Sequence, residues 1–221
     1  MISYAAILTH GRNDMCKNLV DKMESDGITT FVLNHNPELG EEFSHWYPYI
    51  WLEYGYTGGD FNISKLWNTL LDYVAWYHHA KNGDQDYTVT VFNDDADPSP
   101  DFCRIMSDIM MQTGVDVVSP GFDNCVIVGP PRQIPLSHRP AGWCWTVRGL
   151  SRVRPNESMA VWYSDDDLWQ QALNGNGYAL TTHATCGNLD ADGNFSRNVW
   201  WQEQAGRDRE TFKQKWGFYS W

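Results

Sequence analysis

The sequence is short of basic residues, of long apolar runs and of paired cysteines. Its 221 residues include 16 lysines and arginines against 28 aspartates and glutamates, for a formal net charge of −12. A surface of that sign repels nucleic acids and anionic membranes as a whole, although a local basic patch could still bind either. No stretch approaches the roughly 18 apolar residues of a membrane span, and the start MISYAAILT lacks the features of a signal peptide. We expect a soluble, cytoplasmic chain without a membrane span.

Cysteine usage excludes a disulfide framework and a cysteine-rich zinc site. The five cysteines are odd in number and widely spaced, with no CxxC pair. Reduced thiols are therefore expected. The length suits one large domain or two small ones, and we favour one.

Short apolar runs alternate with helical patterns, which indicates an α/β fold. Residues 3–9 and 28–34 are predicted strands, and 13–23 between them has helical spacing, so the chain begins as a βαβ unit with parallel strands. A helix is predicted over 63–80 and a strand over 88–93. The remaining predicted elements are strands at 115–120, 123–129, 142–147 and 178–182 and helices at 101–113 and 168–174.

An acidic cluster follows the strand at 88–93. Asn93, Asp94, Asp95 and Asp97 come directly after the alternating run TVTVF, and prolines 98 and 100 then turn the chain. Open α/β sheets bind ligands beyond the carboxyl ends of their strands, where a divalent cation can bridge carboxylate to phosphate. The pattern favours a site for a metal and a diphosphate.

A second acidic cluster, Asp165-Asp166-Asp167, lies later in the chain and is followed by Gly177-Tyr178 and then by His183. A single acid-rich loop is usually only a solvated turn. Two such clusters, each next to an appropriate element, favour one shared site in which the first holds a metal and the second supplies a general base.

Aromatic residues are abundant, with 12 tryptophans and 11 tyrosines. Trp143 and Trp145 occupy alternate positions of a predicted strand and should face the same side, where they could stack on a sugar or pack in the core. Residues 198–221 are aromatic and charged. They are predicted to form an extension that packs on the domain, caps the site or makes an oligomer contact.

With these residues in place, the chain resembles inverting glycosyltransferases of the GT-A fold, in the large family 2-like group that includes bacterial and phage enzymes. The resemblance spans roughly residues 3–183. It implies a GT-A-like, Rossmann-like central sheet, mostly parallel and flanked by helices, within residues 1–197. A phage enzyme of this kind would act in the host cytoplasm.

The resemblance also implies roles for individual residues. Asp165 matches the catalytic base, with a serine at 164 where the family usually has glutamate. Asp95 matches the metal ligand, Asp97 is a rival carboxylate, and His183 is the candidate histidine of the metal shell. The matched donor-binding residues are Thr9, His10, Arg12, Asn34, Asn62 (after Gly58-Gly59), Asn93 and Asp94, and the acceptor side is matched by Trp143, Trp145, Asp166 and Asp167.

The expected activity is transfer of a sugar from a nucleotide-sugar donor to an acceptor hydroxyl with inversion, assisted by Mn²⁺ or Mg²⁺. An imidazole ligand would favour Mn²⁺. The acceptor stays open between a glycan, a protein and a hydroxymethylated base in nucleic acid. The last would need a basic groove from Arg132, Arg139, Arg148, Arg152 and Arg154. The alternatives are a non-catalytic sugar- or nucleotide-binding domain and a nucleotidyltransferase.

Overall fold

A computed structural model describes residues 1–9, 12–35, 51–53, 62–189 and 199–220. His10, Gly58 and Gly59 therefore lie outside the described residues. Ten strands are found in the described part of the chain: β1 Ile2–Thr9, β2 Thr29–Asn34, β3 Trp51–Glu53, β4 Tyr87–Asn93, β5 Ala96–Pro98, β6 Val117–Pro120, β7 Cys125–Ile127, β8 Cys144–Arg148, β9 Tyr178–Thr181 and β10 Cys186–Asn188. The helices are α1 Asn13–Ser25, α2 Ile63–Asn82, α3 Phe102–Thr113, α4 Ser164–Leu173 and α5 Val199–Trp216, with a 3-10 turn at Leu136–His138.

One eight-stranded sheet organises the described residues, in the order β3-β2-β1-β4-β8-β6-β9-β7. β3, β2, β1 and β4 run parallel, as do β6 and β9. β8 is antiparallel to both of its neighbours, and the edge strand β7 is antiparallel to β9. The prediction of a mostly parallel central sheet is confirmed. β5 and β10 form a separate antiparallel pair.

Helices cover both faces of the sheet and bury two apolar layers. One layer joins the sheet to α2 and α4, and it includes Trp67, Leu70 and Trp169. The other joins the opposite face to α1 and α3, and it includes Leu19 and Met106. The i, i+3, i+4 spacing within each helix presents one apolar stripe to the sheet. Because helices cover both faces of the sheet, its central strands are almost continuously hydrophobic.

The last described helix packs on the domain through a small third cluster. Phe212 of α5 is buried against Met159 and Tyr163, with Trp216 and Phe218 at the margin. This cluster places α5 beside the start of α4. None of the described helices combines the length and the apolarity that crossing a bilayer requires.

Helix α4 begins at Ser164, earlier than the predicted start at 168. The three aspartates at 165–167 therefore occupy its first turn rather than a preceding loop. Unpaired backbone N–H groups and the helix dipole favour carboxylates at that position. The apolar period alone could not show this, because the first turn, Ser164 to Asp167, contains no apolar residue.

Candidate active site

Polar side chains gather where β1, β2 and β4 end. Thr9 and Asn34 are paired in register between β1 and β2, and Leu8 next to Thr9 is paired with Asn93 of β4. The backbone N–H of His35 donates to the Thr9 carbonyl at 3.1 Å. Because these strands are parallel, their carboxyl ends meet at one edge of the sheet. That edge is where the sequence predicted the donor to bind.

Two buried carboxylates form the centre of this edge. Asp94 and Asp95 are 5% and 4% exposed. The Thr9 hydroxyl donates to Asp94 Oδ2 at 2.7 Å. The Arg12 guanidinium reaches both acids, with Nη1 2.5 Å from Asp95 Oδ2 and Nε 3.5 Å from Asp94 Oδ1. The arginine offsets part of the charge that burial of two adjacent carboxylates concentrates here.

Asp95 keeps one oxygen in a state that suits a cation. Its Oδ1 is buried and has no hydrogen-bond partner among the described residues. An unpaired buried carboxylate oxygen is energetically costly, and a hard divalent cation with oxygen ligands would satisfy it. The donor type at this position therefore fits Mg²⁺ or Mn²⁺.

The other two predicted metal ligands are arranged differently. The Asp97 side chain lies on β5 and pairs with Lys22 of α1 at the surface. His183 is exposed in the turn after β9, with its backbone N–H bonded to Thr181. Within the part of the chain that the structure describes, no three acidic, histidine or cysteine side chains cluster as a metal site. Asp95 is the ligand that the geometry supports.

The second acidic cluster reaches the same edge through β8. A Cβ added at Gly142 would lie 2.4 Å from Asp165 Oδ2, so this carboxylate rests directly on the glycine backbone. The next residue, Trp143, accepts a hydrogen bond through its carbonyl from the backbone N–H of Asn93 at 3.0 Å. Because β8 is antiparallel to β4, its first residues lie beside the last residues of β4. Asp165 is thereby brought to the edge that holds Asp94 and Asp95.

Asp165 has the electrostatic character of a base. Burial, the largest cause, and the neighbouring Asp166 together raise the pKa of Asp165 from 3.8 to about 7, against the opposing effect of backbone N–H groups and Arg139. The residue is nevertheless partly exposed. A carboxylate that titrates near neutrality and can be reached from solvent suits proton abstraction from a hydroxyl.

The two aspartates that follow are held by the C-terminal part of the chain. Asp167 is 0% exposed, and it accepts hydrogen bonds from Lys215 Nζ at 2.9 Å and Trp216 Nε1 at 2.6 Å. Asp166 accepts a hydrogen bond from the Ser220 hydroxyl. Asp167 therefore has no surface for an acceptor, and the geometry assigns it a structural role in place of the predicted acceptor contact.

Asn62, Trp145 and Trp143, which the sequence predicted to bind donor or acceptor, make structural contacts as well. Asn62 caps α2, because its Oδ1 accepts from the Lys65 N–H at 2.9 Å while its amide donates to the Glu157 carbonyl. Trp145 is 3% exposed within the core layer of α2 and α4. Trp143 lies just before β8, packs against the opposite layer and donates to the Cys186 carbonyl at 3.0 Å. The two tryptophans therefore do not share a surface.

The arginine-rich stretch does not form one groove beside the acids. Arg148 is paired in register with Thr88, near the beginning of β4 and thus at the opposite end of that strand from Asp95. Arg148 lies near Asp86, and Arg154 lies near Asp72. Arg132 Nη1 donates to the Val128 carbonyl. Arg139 lies near Asp165, and its Nη2 donates to the Ser220 carbonyl at 2.6 Å.

Sequence reasoning missed several residues that shape the site. Gly142 was seen only as part of a strand, Arg139 only as part of a basic stretch, and Asp208 not at all. Asp208 is fully buried and accepts backbone hydrogen bonds from residues 160–162. No local signal marks these positions, because each matters through a contact with a residue distant in sequence.

Solved structures of S. aureus TarS are similar to this chain along nearly its whole length. A structure of TarS residues 1–349 has a TM-score of 0.58 at 10% identity, covering 99% of this chain and 72% of that one. The two chains share a fold. The corresponding UDP-GlcNAc complex gives 0.58 at 9% identity with 99% and 74% coverage, whereas this chain spans only 44% of a longer TarS structure. No protein-family model matches the chain, and no curated protein sequence is significantly similar to it. The likeness confirms the GT-A-like prediction at the level of fold.

Proposed function

We propose that this protein is a metal-dependent, inverting glycosyltransferase that moves a sugar from a nucleotide-sugar donor to an acceptor hydroxyl. The observation that carries the proposal is the meeting of two acidic clusters at one sheet edge, through the contact of Asp165 with Gly142 and the bond between Trp143 and Asn93. TarS, which has the same fold, has been solved with UDP and with UDP-GlcNAc. That similarity supports a uridine nucleotide sugar as the first donor to test.

The donor end of the site is built to hold a diphosphate. Asp95 would hold Mg²⁺ or Mn²⁺ through its unpaired Oδ1, and the bound cation would offset charge on the leaving diphosphate. Arg12, already within reach of both acids, supplies a guanidinium that can bind phosphate oxygens in a bidentate manner. Asn34 and Asn93, at the ends of β2 and β4, remain the proposed contacts to the nucleoside.

The acceptor end requires a base, and we assign that role to Asp165. As the acceptor oxygen bonds to the anomeric carbon, the bond from that carbon to the diphosphate oxygen breaks and its electron pair leaves with the diphosphate. The hydroxyl proton passes to the Asp165 carboxylate. A base whose pKa is raised to about 7 is substantially deprotonated at neutral pH yet binds the transferred proton better than an ordinary aspartate does.

The decisive experiment measures donor turnover and donor binding on the same protein. The full chain is incubated with Mn²⁺ or Mg²⁺ and a panel of nucleotide sugars beginning with UDP-GlcNAc. Release of nucleoside diphosphate is followed with water or simple sugars as acceptors, and donor binding is followed by thermal shift, since a bound ligand raises stability by mass action. We expect cation-dependent binding and slow release of nucleoside diphosphate.

Two substitutions separate the proposed activity from its alternatives. Asp165→Asn should keep donor affinity and lose about 10²–10⁴-fold in turnover, whereas Asp95→Asn should lose the cation-dependent part of donor binding. Donor binding without release of nucleoside diphosphate by the wild type would identify a binding domain, and equal turnover of the wild type and Asp165→Asn would rule out Asp165 as the base. Release of pyrophosphate in place of nucleoside diphosphate would identify a nucleotidyltransferase.

A further inference from the structure

Helices α4 and α5 are joined by two buried carboxylates, one from each helix. Asp208 of α5 is fully buried. Its Oδ1 accepts from the backbone N–H of Ala160 at 3.1 Å, and its Oδ2 accepts from those of Val161 and Trp162, each at 2.9 Å. Gln204, one turn earlier in α5, donates to Oδ1 at 2.6 Å. Asp208 thus fixes the loop that leads into α4.

The second carboxylate belongs to α4 and binds groups of α5. Asp167 of α4, also fully buried, receives Lys215 Nζ and Trp216 Nε1 from the end of α5. Gln171, one turn further along α4, donates to the same carboxylate at 2.6 Å. Both hydrogen-bond sets end on the side-chain oxygens of an aspartate, and each connects segments that are distant in sequence.

Between these two anchors lies a backbone conformation that needs support. Tyr163 has a φ of 64° in the left-handed region, which a non-glycine residue adopts at a cost of about 1–2 kcal/mol. Its ring packs on Phe212 of α5 with centroids 5.9 Å apart. Asp165 is two residues after this turn, so the direction of its carboxylate depends on the turn being held.

We propose that α5 is a positioning element of the active site, in which Asp208 and Asp167 hold the turn at residues 160–163 and the first turn of α4 so that Asp165 faces the acceptor. This inference rests on the function proposed above. Asp208 and Asp167 do not contact substrate in it. They act through Asp165, and their effect is therefore on the chemical step rather than on donor binding.

Asp208→Asn and Trp216→Phe test the two anchors separately. The asparagine puts an NH₂ group against backbone N–H donors in place of an accepting oxygen, and the phenylalanine removes the hydrogen bond from Trp216 Nε1 to Asp167 while keeping an aromatic ring at that position. A displacement of about 1 Å at a catalytic group can cost about 100-fold in rate. We expect kcat to fall 10- to 100-fold in Asp208→Asn and several-fold in Trp216→Phe, with the KM for the donor unchanged within twofold.

The midpoint of the acidic limb of the pH–rate profile is the readout that a purely structural role would leave unchanged. The charged and titratable groups around Asp165 are Asp166 on α4, Arg139 on the loop before β8, and Tyr163 at the start of α4. If α4 shifts, the distances to these groups change and the midpoint moves in both variants. Two substitutions of the same chemical type at exposed positions, Glu203→Gln on α5 and Trp76→Phe on α2, should leave rate and profile unchanged.

Folded variants with the wild-type kcat and the wild-type midpoint would overturn the inference. If Asp208→Asn does not fold, Trp216→Phe decides, because it keeps an aromatic ring in the cluster and removes one of the hydrogen bonds to Asp167. An NMR titration of the Asp165 carboxyl gives the same comparison without turnover, and a midpoint that is identical in wild type and Trp216→Phe contradicts the inference. Failure of the proposed function has a different signature, which is a wild-type protein that releases no nucleoside diphosphate.

Discussion

The contact between Gly142 and Asp165 makes a sharp prediction for the variant Gly142→Ala. The added Cβ would lie 2.4 Å from Asp165 Oδ2, where ordinary van der Waals contact begins at 3.4 Å. The carboxylate or the glycine backbone must therefore move by about 1 Å, a displacement that can cost about 100-fold in rate at a catalytic group. The φ of Gly142 lies outside the left-handed region, so alanine adds no backbone strain and the effect arises from this contact.

We expect Gly142→Ala to lower kcat about 100-fold while the Kd for the nucleotide sugar with Mn²⁺ stays within twofold of wild type. Because the atom that must move is the end of the Asp165 side chain, overpacking should lower the free energy of unfolding by only about 1 kcal/mol, the lower end of the usual range. This loss of stability should disappear when Asp165 is replaced by alanine. A double-mutant cycle of Gly142→Ala and Asp165→Ala, measured by urea unfolding, tests that expectation. Gly187→Ala, whose Cβ would lie 3.6 Å from Asp97 Cβ, is the matched control. A folded Gly142→Ala protein with wild-type turnover would refute the placement of Asp165 as the base.

Three further predictions concern the pH dependence of Asp165, the hydrogen bond of Thr9 at the end of β1, and helix α5. Because the pKa of Asp165 is raised to about 7, turnover should rise with pH through that value. Protonation of Asp165 should stabilise the fold fully below pH 3.8, and this stabilisation should be lost progressively as the pH rises from 3.8 to about 7. Thermal unfolding should therefore show Asp165→Asn to be more stable than wild type at pH 8, by a smaller margin at pH 5, and not below pH 3.8. Thr9→Val leaves buried Asp94 without its hydroxyl donor and should cost about 1–3 kcal/mol in chemical denaturation, whereas Thr9→Ser should cost less. Gly206 is exposed within α5, and a Cβ there would meet nothing within 4 Å among the described residues. Gly206→Ala should therefore raise the free energy of unfolding by about 0.5–1 kcal/mol, and a lower melting temperature would contradict the helical assignment.

Local patterns were sufficient to predict the strand that leads to Asp94 and Asp95 and the long helix α2. The alternating run before Asn93 became β4, Tyr87–Asn93, and the apolar stripe predicted over 63–80 became α2, Ile63–Asn82. In both cases one periodicity extends over several turns or alternations, so the spacing alone distinguishes strand from helix. The placement of Asp94 and Asp95 follows directly, because they come next in the chain.

Roles that depend on burial could not be predicted in this way. An asparagine before a helix can cap it or bind a ligand, and only the bonds of Asn62 to Lys65 and Glu157 distinguish the two. Three consecutive aspartates have the same local signal, yet Asp165 lies against Gly142, Asp166 contacts Ser220 and Asp167 is enclosed by α5. Those differences come from the rotation of α4 relative to the rest of the fold, which no window of sequence contains.

The reversed strand β8 has a consequence for how the chain folds. β8 pairs with β4 and with β6, so the centre of the sheet closes only after α3, β6, β7 and the long loop before β8 have been traversed. Pairings between segments so distant in sequence carry a large loop-closure entropy and slow folding. The β1–β4 pairing, Ile2 with Tyr87, spans a still longer stretch of chain than the β4–β8 pairing, Phe92 with Cys144. Closure of both joints around β4 should therefore make this sheet slow to fold.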